Sequence, residues 1–162
     1  MVVIIITGTP GTGKTELAHQ LTEEMGFDFI DVQEIVTENK LSEDLDEDRG
    51  CAIIDTQKLN EILIPRLKKR DSILEGHFIH HLPSKYVDLC IVTKCDLKKL
   101  KGRLEERGYS EEKVRENLDA EIFDNCLVEA EEMGHKVLVV DLSYPVAMDE
   151  LVLEIKKRIP LK

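Results

Sequence analysis

The first fifteen residues constrain the fold of this chain more than any other segment. A β-branched run, Ile4-Ile5-Ile6, leads into the sequence Gly8-Thr9-Pro10-Gly11-Thr12-Gly13-Lys14-Thr15, and an amphipathic stretch follows at once. Glycines permit backbone angles and close approaches that a Cβ would forbid, so successive N–H groups in such a turn can converge on one point. The segment therefore predicts a buried strand, a phosphate-binding loop and a helix, in that order.

Apolar runs alternate with helical patterns along the rest of the chain, which indicates parallel strands joined by helical crossovers. The segments 72–75 and 87–93 are largely apolar without alternation, as expected of strands buried on both faces. We expect a single-domain α/β fold with a five-stranded parallel sheet, and ligands at the carboxyl ends of its strands. The expected strands are 2–7, 27–30, 72–75, 87–93 and 136–141; the expected helices end near residue 25 and cover 32–39, 56–69, 96–107, 110–133 and 147–159.

Composition limits the classes of partner. The 162 residues are 42% apolar and 34% charged, with a formal net charge of −11, which argues against broad nucleic-acid binding. No apolar run approaches the ~18 residues of a membrane span, and Met1 leads directly into the first strand. The four cysteines form no C-x-x-C pair. We therefore expect buried thiols, no leader peptide, no membrane partner and a cytoplasmic setting.

Phosphoryl transfer at such a loop requires a cationic side chain, ligands for Mg²⁺ and a carboxylate close to the loop. Lys14 is expected to reach the β- and γ-phosphates of a nucleotide, and the Thr15 hydroxyl to bind Mg²⁺. Glu75 ends a predicted strand, where it would hold a magnesium-bound water or polarise a nucleophilic one. His77 follows two residues later at the same strand mouth. Ordinary strand-end packing is the alternative for both Glu75 and His77.

Two arginines provide candidate charge stabilisation. Arg103 and Arg107 lie four residues apart on one predicted helix face, directly before Gly108. They would grip phosphates from one side, while the flexible turn allows the segment to close. Ion pairs with neighbouring glutamates are the alternative, and such surface pairs contribute little energy.

The segment Thr93-Lys94-Cys95-Asp96 resembles the guanine-reading motif of small GTPases. A GTPase also needs D-x-x-G between this motif and the phosphate loop, and Glu75-Gly76-His77-Phe78 does not supply it. Asp96 is explained more simply as the N-cap of the next helix. We therefore do not expect guanine specificity.

Four motifs together resemble one family: the phosphate loop, Glu75-Gly76-His77, Glu106-Arg107-Gly108-Tyr109 and Glu121-Ile122-Phe123. They are similar to the small adenylate kinase-like group of archaea and eukaryotic nuclei. The resemblance covers nearly the whole chain and implies a nucleoside monophosphate kinase fold, with a monophosphate-binding arm over about 30–53 and a short lid over about 106–117. It implies catalytic roles for Lys14, Arg103, Arg107, Glu75 and His77, magnesium binding by Thr15 and Glu75, and nucleotide binding by Gly8, Pro10, Gly11, Thr12, Gly13, Lys14, Thr15, Glu16 and Arg107.

The resemblance also implies an activity and a partner. The activity is broad-specificity transfer from ATP to AMP, giving two ADP, together with ATP hydrolysis and a role in late maturation of the small ribosomal subunit. The partner is a platform ribosomal protein that binds transiently. The segment 38–48 holds six carboxylates and one lysine. It is either a solvated loop or a docking surface for that basic partner through Glu43, Asp44, Asp46, Glu47 and Asp48.

Three positions depart from ordinary adenylate kinases, which carry arginines where this chain has Thr37, Ile79 and Asn117. Each missing guanidinium removes a phosphate contact worth about 1.5–3 kcal/mol. Lys40, Arg49 and Lys58 are candidate replacements. We therefore expect looser monophosphate binding and more competitive hydrolysis.

Three hypotheses about the function of the chain remain open. The first is an ATP–AMP kinase. The second is an ATPase assembly factor for a ribosomal protein, with incidental kinase activity. The third is a phosphate-loop kinase for a small metabolite. Apart from its acids, the arm shows no group of residues that would recognise a metabolite, so the sequence does not favour this hypothesis.

Overall fold

The structure, a computed structural model, describes residues 1–46 and 51–160, without the side chains of 43–46 and 51–53. In this described part, five parallel strands form one sheet in the order β2-β5-β1-β6-β7. The remaining two described strands, β3 and β4, pair with each other in a separate antiparallel hairpin. The strands are β1 Val3–Gly8, β2 Asp28–Asp31, β3 Ser42–Asp46, β4 Cys51–Ile54, β5 Ser72–Glu75, β6 Leu89–Lys94 and β7 Val137–Asp141.

Helices cover both faces of the five-stranded sheet. Within residues 1–46 and 51–160 they are α1 Lys14–Met25, α2 Val32–Glu38, α3 Thr56–Leu67, α4 Leu97–Glu106, α5 Glu111–Ile122, α6 Asn125–Glu132 and α7 Met148–Arg158, with short 3₁₀ turns at Ile79–His81 and Ser84–Tyr86. No helix of the described chain is both long and apolar enough to span a bilayer. The architecture is the predicted α/β fold with its five-stranded parallel sheet.

The central strand β1 explains why the apolar run at the start of the chain does not alternate. Val3 and Ile5 belong to a core cluster with α2, α3 and α6, whereas Ile4 and Ile6 pack with α1 and α7. All four side chains are at most 3% exposed. Because both faces of a parallel sheet are covered, every position of such a strand is apolar.

The acidic segment after α2 differs from the loop expectation. Residues Ser42–Asp46 form β3, which pairs antiparallel with β4 in a register that joins Ser42 to Ile54 and Asp46 to Cys51. Backbone pairing therefore overrides the low strand preference of acidic residues. Of the predicted docking acids, Glu43, Asp44 and Asp46 are described by backbone only, and Glu47 and Asp48 lie outside the described residues, as does Arg49.

The predicted helix over 110–133 is wrong, since the structure divides it into α5 and α6. Asp124 adopts a left-handed conformation with φ of 52° and ψ of 40°, which a continuous helix excludes. Lys94 at the end of β6 forms ion pairs with Asp124 and with Glu121, and donates to the Glu121 carbonyl at 2.9 Å. The four-residue spacing from Val114 to Cys126 predicts that Ile122 lies on the buried face of one continuous helix, but with the helix divided its side chain is 54% exposed.

Candidate active site

The phosphate-binding loop leaves β1 through a contact that only glycine permits. Gly8 has φ of +151°, and a Cβ built there would lie 2.1 Å from Thr93 Oγ1 on β6. Thr12 closes the loop with two hydroxyl hydrogen bonds, a 2.7 Å bond to the Thr9 carbonyl and a 2.7 Å contact with Thr93 Oγ1. Gly13, with φ of 102°, then begins α1 without a capping side chain. The start of α1 therefore lacks the capping side chain that would occupy its first N–H groups, as suits an anion-binding helix start.

Lys14 is held inside this loop. Its Nζ donates to the carbonyl oxygens of Gly8 at 2.9 Å and Thr9 at 3.3 Å, and the residue is 8% exposed. Burial lowers the pKa of the amine, and the nearby Glu75 carboxylate opposes that shift. The amine thus occupies the centre of the loop, bonded to main-chain oxygens that a phosphate group can replace.

Thr15 and Glu75 meet at the mouth of the central strands. The Thr15 hydroxyl donates to Glu75 Oε2 at 3.2 Å, and Glu75 pairs in register with Ile6 on β1. Burial raises the pKa of Glu75, while the charge of Lys14 acts in the opposite direction. A hydroxyl and a carboxylate side by side are the hard oxygen ligands that Mg²⁺ prefers. These two residues therefore fit the predicted magnesium site.

His77 packs against the start of the same loop. Its Nδ1 lies 3.2 Å from the Gly8 carbonyl, and because a carbonyl only accepts, Nδ1 carries the proton. Burial lowers the pKa of His77 to about 4, and the charge of Lys14 adds to this shift. The ring is therefore neutral near pH 7, with its remaining lone pair on Nε2.

The two predicted arginines occupy different positions. Arg103 is half-buried and donates from Nη1 to the carbonyl oxygens of Gly11 at 3.2 Å and Thr12 at 3.4 Å. Arg107 is exposed at the end of α4, just before Gly108, yet its charge contributes to lowering the pKa of Lys14. Arg103 thus braces the loop, and Arg107 lies at the end of the same helix, within electrostatic range of Lys14.

The remaining predicted nucleotide-binding residues lie in or beside the loop. Pro10 is half-buried, Gly11 is buried against Leu100 and Leu104, and Glu16 is exposed in the first turn of α1. All the predicted site residues therefore belong to one region of the molecule, at the carboxyl ends of β1, β5 and β6. This is the edge at which parallel α/β sheets bind ligands.

The three positions without arginine have local partners. The Thr37 hydroxyl donates to the Gln33 carbonyl at 2.9 Å, and Asn117 Nδ2 donates to the Lys113 carbonyl at 2.8 Å. Ile79 is 1% exposed in the core. Of the predicted replacements, Lys58 pairs with Asp55 at 3.6 Å, and Lys40 is exposed after α2. The partner of Lys58 is therefore not a residue of the phosphate loop.

The segment that resembles a guanine-reading motif has a structural role in this chain, as expected. Asp96 caps α4 by accepting from the Lys99 N–H at 3.2 Å, as the sequence predicted. Thr93, which sequence reasoning did not select, clamps the loop through Thr12. Its position at the end of the predicted strand 87–93, at the carboxyl edge where ligands are expected, was the available signal.

Comparisons with known proteins identify the family of this chain. A family described as an AAA domain matches residues 4–124. An adenylate kinase isoenzyme 6 homolog of Caenorhabditis elegans is 39% identical over 86% of this chain and 78% of its own length. A putative adenylate kinase of Methanocaldococcus jannaschii is 37% identical over 96% of this chain and 86% of its own length.

Solved structures extend the comparison to the fold. A shikimate kinase from Bacteroides thetaiotaomicron superposes with a TM-score of 0.63 at 13% identity, covering 96% of each chain. A putative kinase from Chloroflexus aurantiacus superposes with a TM-score of 0.65 at 19% identity, covering 98% of each chain. At these identities the similarity concerns the fold alone.

Proposed function

The chain belongs to the adenylate kinase isoenzyme 6 family of nucleotide kinases, and from this premise we propose that it transfers the γ-phosphoryl group of ATP to AMP. The observation that carries the proposal is the convergence of Lys14, Thr15 and Glu75 on one loop, with Arg103 bracing its far side. Phosphoryl transfer requires positioning and charge stabilisation more than covalent chemistry, and these residues supply both.

Each residue has a distinct role in the proposed transfer. Lys14 leaves the Gly8 and Thr9 carbonyls and binds the β- and γ-phosphates, while the loop N–H groups hold the β-phosphate. Arg107, at the hinge beside Gly108, approaches the transferring group from above when the segment 106–117 closes as a lid. An AMP phosphate oxygen attacks the γ-phosphorus, and the bond to the ADP bridging oxygen breaks. Thr15 and Glu75 fit Mg²⁺, which when bound would offset the phosphate charge.

Hydrolysis of ATP is the second activity we propose. Two observations favour it. The positions where ordinary adenylate kinases carry arginines hold Thr37, Ile79 and Asn117, so none of these three residues offers a guanidinium to a monophosphate. In addition, neutral His77 keeps a lone pair on Nε2. A neutral imidazole at the strand mouth can accept a proton from an attacking water. The hairpin arm then binds AMP loosely, and water competes for the phosphoryl group.

The test of the kinase is turnover of ATP with and without AMP. A kinase consumes ATP faster when AMP is present and yields two ADP for each ATP, whereas hydrolysis yields one. Lys14→Ala and Arg107→Ala are each expected to lose about tenfold or more in rate, a loss of about 1.4 kcal/mol of transition-state stabilisation. Lys157→Ala and Arg70→Ala, at cations that are 75% and 74% exposed, serve as matched controls. Wild-type turnover in Lys14→Ala or in Arg107→Ala would contradict the assignment.

His77→Ala separates the two activities. We expect it to slow hydrolysis more than transfer to AMP, because AMP brings its own nucleophile and water does not. A larger loss in transfer than in hydrolysis would contradict a water-activating role for His77.

We further propose that the protein acts in the cytoplasm as an assembly factor in small ribosomal subunit maturation, through a transient complex of the acidic arm with a basic ribosomal protein. The support is the charge of the arm, which carries six carboxylates between positions 38 and 48. Capture from lysate on immobilised protein, with and without ATP, is expected to retain a ribosomal protein. Exchange of the acids at 43, 44 and 46–48 for lysine should abolish capture, and the same exchange at Asp149 and Glu150 should not. Equal capture by both variants would show that the arm is not part of the interface.

A further inference from the structure

Metal-ligating side chains converge at a second place in the described chain, behind the phosphate loop. His80 and His81 lie in the 3₁₀ turn after β5, and Glu129 lies on α6. His80 Nε2 is 2.7 Å from Glu129 Oε2, and His81 Nε2 is 3.7 Å from the same oxygen. All three potential ligand atoms fall within 4.8 Å of one another. None of them takes part in the proposed phosphoryl transfer.

The surroundings of His80 are compatible with the tautomer that a metal ligand needs. Thr7 Oγ1 lies 2.8 Å from His80 Nδ1 and donates to the His77 carbonyl at 3.0 Å, so its oxygen can accept the proton of Nδ1. In that tautomer the lone pair of the neutral ring is on Nε2, 2.7 Å from Glu129 Oε2, and a metal ion between these two atoms would bind both.

The third ligand residue lies next to the first. The His80 and His81 ring centroids are 4.5 Å apart, and His80 is 1% exposed. A metal ion between His80 Nε2 and the Glu129 carboxylate would therefore recruit His81 as a further ligand.

We propose that His80, His81 and Glu129 bind one divalent transition-metal ion of the zinc class. Two imidazoles and one carboxylate are a ligand set that suits Zn²⁺ and does not suit Mg²⁺, which takes oxygen ligands. Tetrahedral bonds of about 2.0–2.1 Å require ligand atoms roughly 3.3 Å apart, so the His80–Glu129 contact opens slightly and the His81–Glu129 contact closes. His81 and Glu129 have side chains that are 40% and 47% exposed, which gives the ion access from solvent and room for a water as fourth ligand.

The site is connected to the phosphate loop through its second shell. Thr7, which orients the His80 ring, directly precedes Gly8, and its hydroxyl also holds the His77 carbonyl. Second-shell partners of this kind orient a ligand histidine and raise metal affinity. An ion at this position would therefore tie α6 and the 3₁₀ turn to the end of β1.

The test is zinc binding by the nucleotide-free protein, because ATP itself binds metal ions. Chelator-treated protein is titrated with Zn²⁺ by calorimetry, and the metal retained after gel filtration is measured. We expect one zinc per chain, and a loss of about tenfold or more in affinity for His81→Ala and for Glu129→Gln. His19→Ala and Glu131→Gln, at exposed positions on α1 and α6, are the matched controls and should bind as the wild type does.

Cobalt substitution tests the ligand chemistry without any variant. Nitrogen and oxygen ligands give visible Co²⁺ bands without the strong near-ultraviolet charge transfer that a thiolate produces. No retained zinc, a thiolate spectrum, or equal affinity in the wild type and both ligand variants would each overturn the proposal. In the first case the three side chains form only an ion-paired packing cluster; in the other two, zinc binds elsewhere.

Discussion

Replacing His77 by asparagine should flatten the dependence of stability on pH. Burial lowers the pKa of this ring from 6.5 to about 4 in the folded protein. Between these two values the unfolded chain binds the proton and the folded chain does not, so the free energy of unfolding falls as the pH falls. The contribution of His77 is fully present above pH 6.5 and is lost progressively toward pH 4.

The magnitude follows from the two pKa values. At a pH of about 5, an ordinary imidazole is protonated by roughly 30 to 1, whereas the folded ring is almost fully neutral. Lowering the pH from about 7.5 to 5 therefore costs the wild type about 2 kcal/mol through this one group. Asparagine does not titrate, and its amide can still donate to the Gly8 carbonyl.

The assay is urea denaturation of both proteins across this pH range, and the quantity compared is the difference between their free energies of unfolding. Taking the difference removes the contributions of His80 and His135, whose pKa values burial also lowers. A His19→Asn variant at an exposed position controls for the loss of an imidazole. Parallel pH curves for the wild type and His77→Asn would refute the argument that His77 is buried as a neutral ring.

Three further predictions concern stability and are measured by the same denaturation at constant pH. Gly8→Ala should destabilise by about 3 kcal/mol or more, because its Cβ would lie 2.1 Å from Thr93 Oγ1, and wild-type stability would contradict the loop packing. Lys40→Gly should stabilise by about 1 kcal/mol, since Lys40 has a left-handed φ of 51°; a loss of stability would mean that its side chain makes a favourable contact. Ile122→Ser should change stability by less than about 0.5 kcal/mol, because this side chain is 54% exposed. A loss typical of a core residue would instead support one continuous helix with Ile122 on its buried face.

The elements that local chemistry determines could be predicted from sequence. The phosphate loop follows from its glycines, and strand β5 with Glu75 at its end follows from continuous apolar character. Helix N-caps were equally local: Asp31 accepts from the Glu34 N–H at 3.2 Å, and Ser110 from the Lys113 N–H at 3.2 Å. In each case the residues that decide the conformation lie within a few positions of one another.

The features that sequence could not supply depend on contacts between distant residues. The break between α5 and α6 involves ion pairs from Lys94 to Glu121 and Asp124, and no glycine or proline marks it. The hairpin of β3 and β4 pairs an acidic strand that has no apolar alternation. Thr93 and Thr12 meet across 81 positions, and His80 and Glu129 across 49. Such pairs become neighbours only through the order of the strands.

The resting position of Lys14 has a consequence for nucleotide affinity. Its amine already makes two hydrogen bonds, to the Gly8 and Thr9 carbonyls, before any substrate arrives. In the proposed mechanism, binding exchanges one set of oxygens for another, and the measured affinity would contain only the difference between them. That difference grows as negative charge accumulates on the migrating group, so we expect this lysine to contribute more to turnover than to the initial binding of ATP.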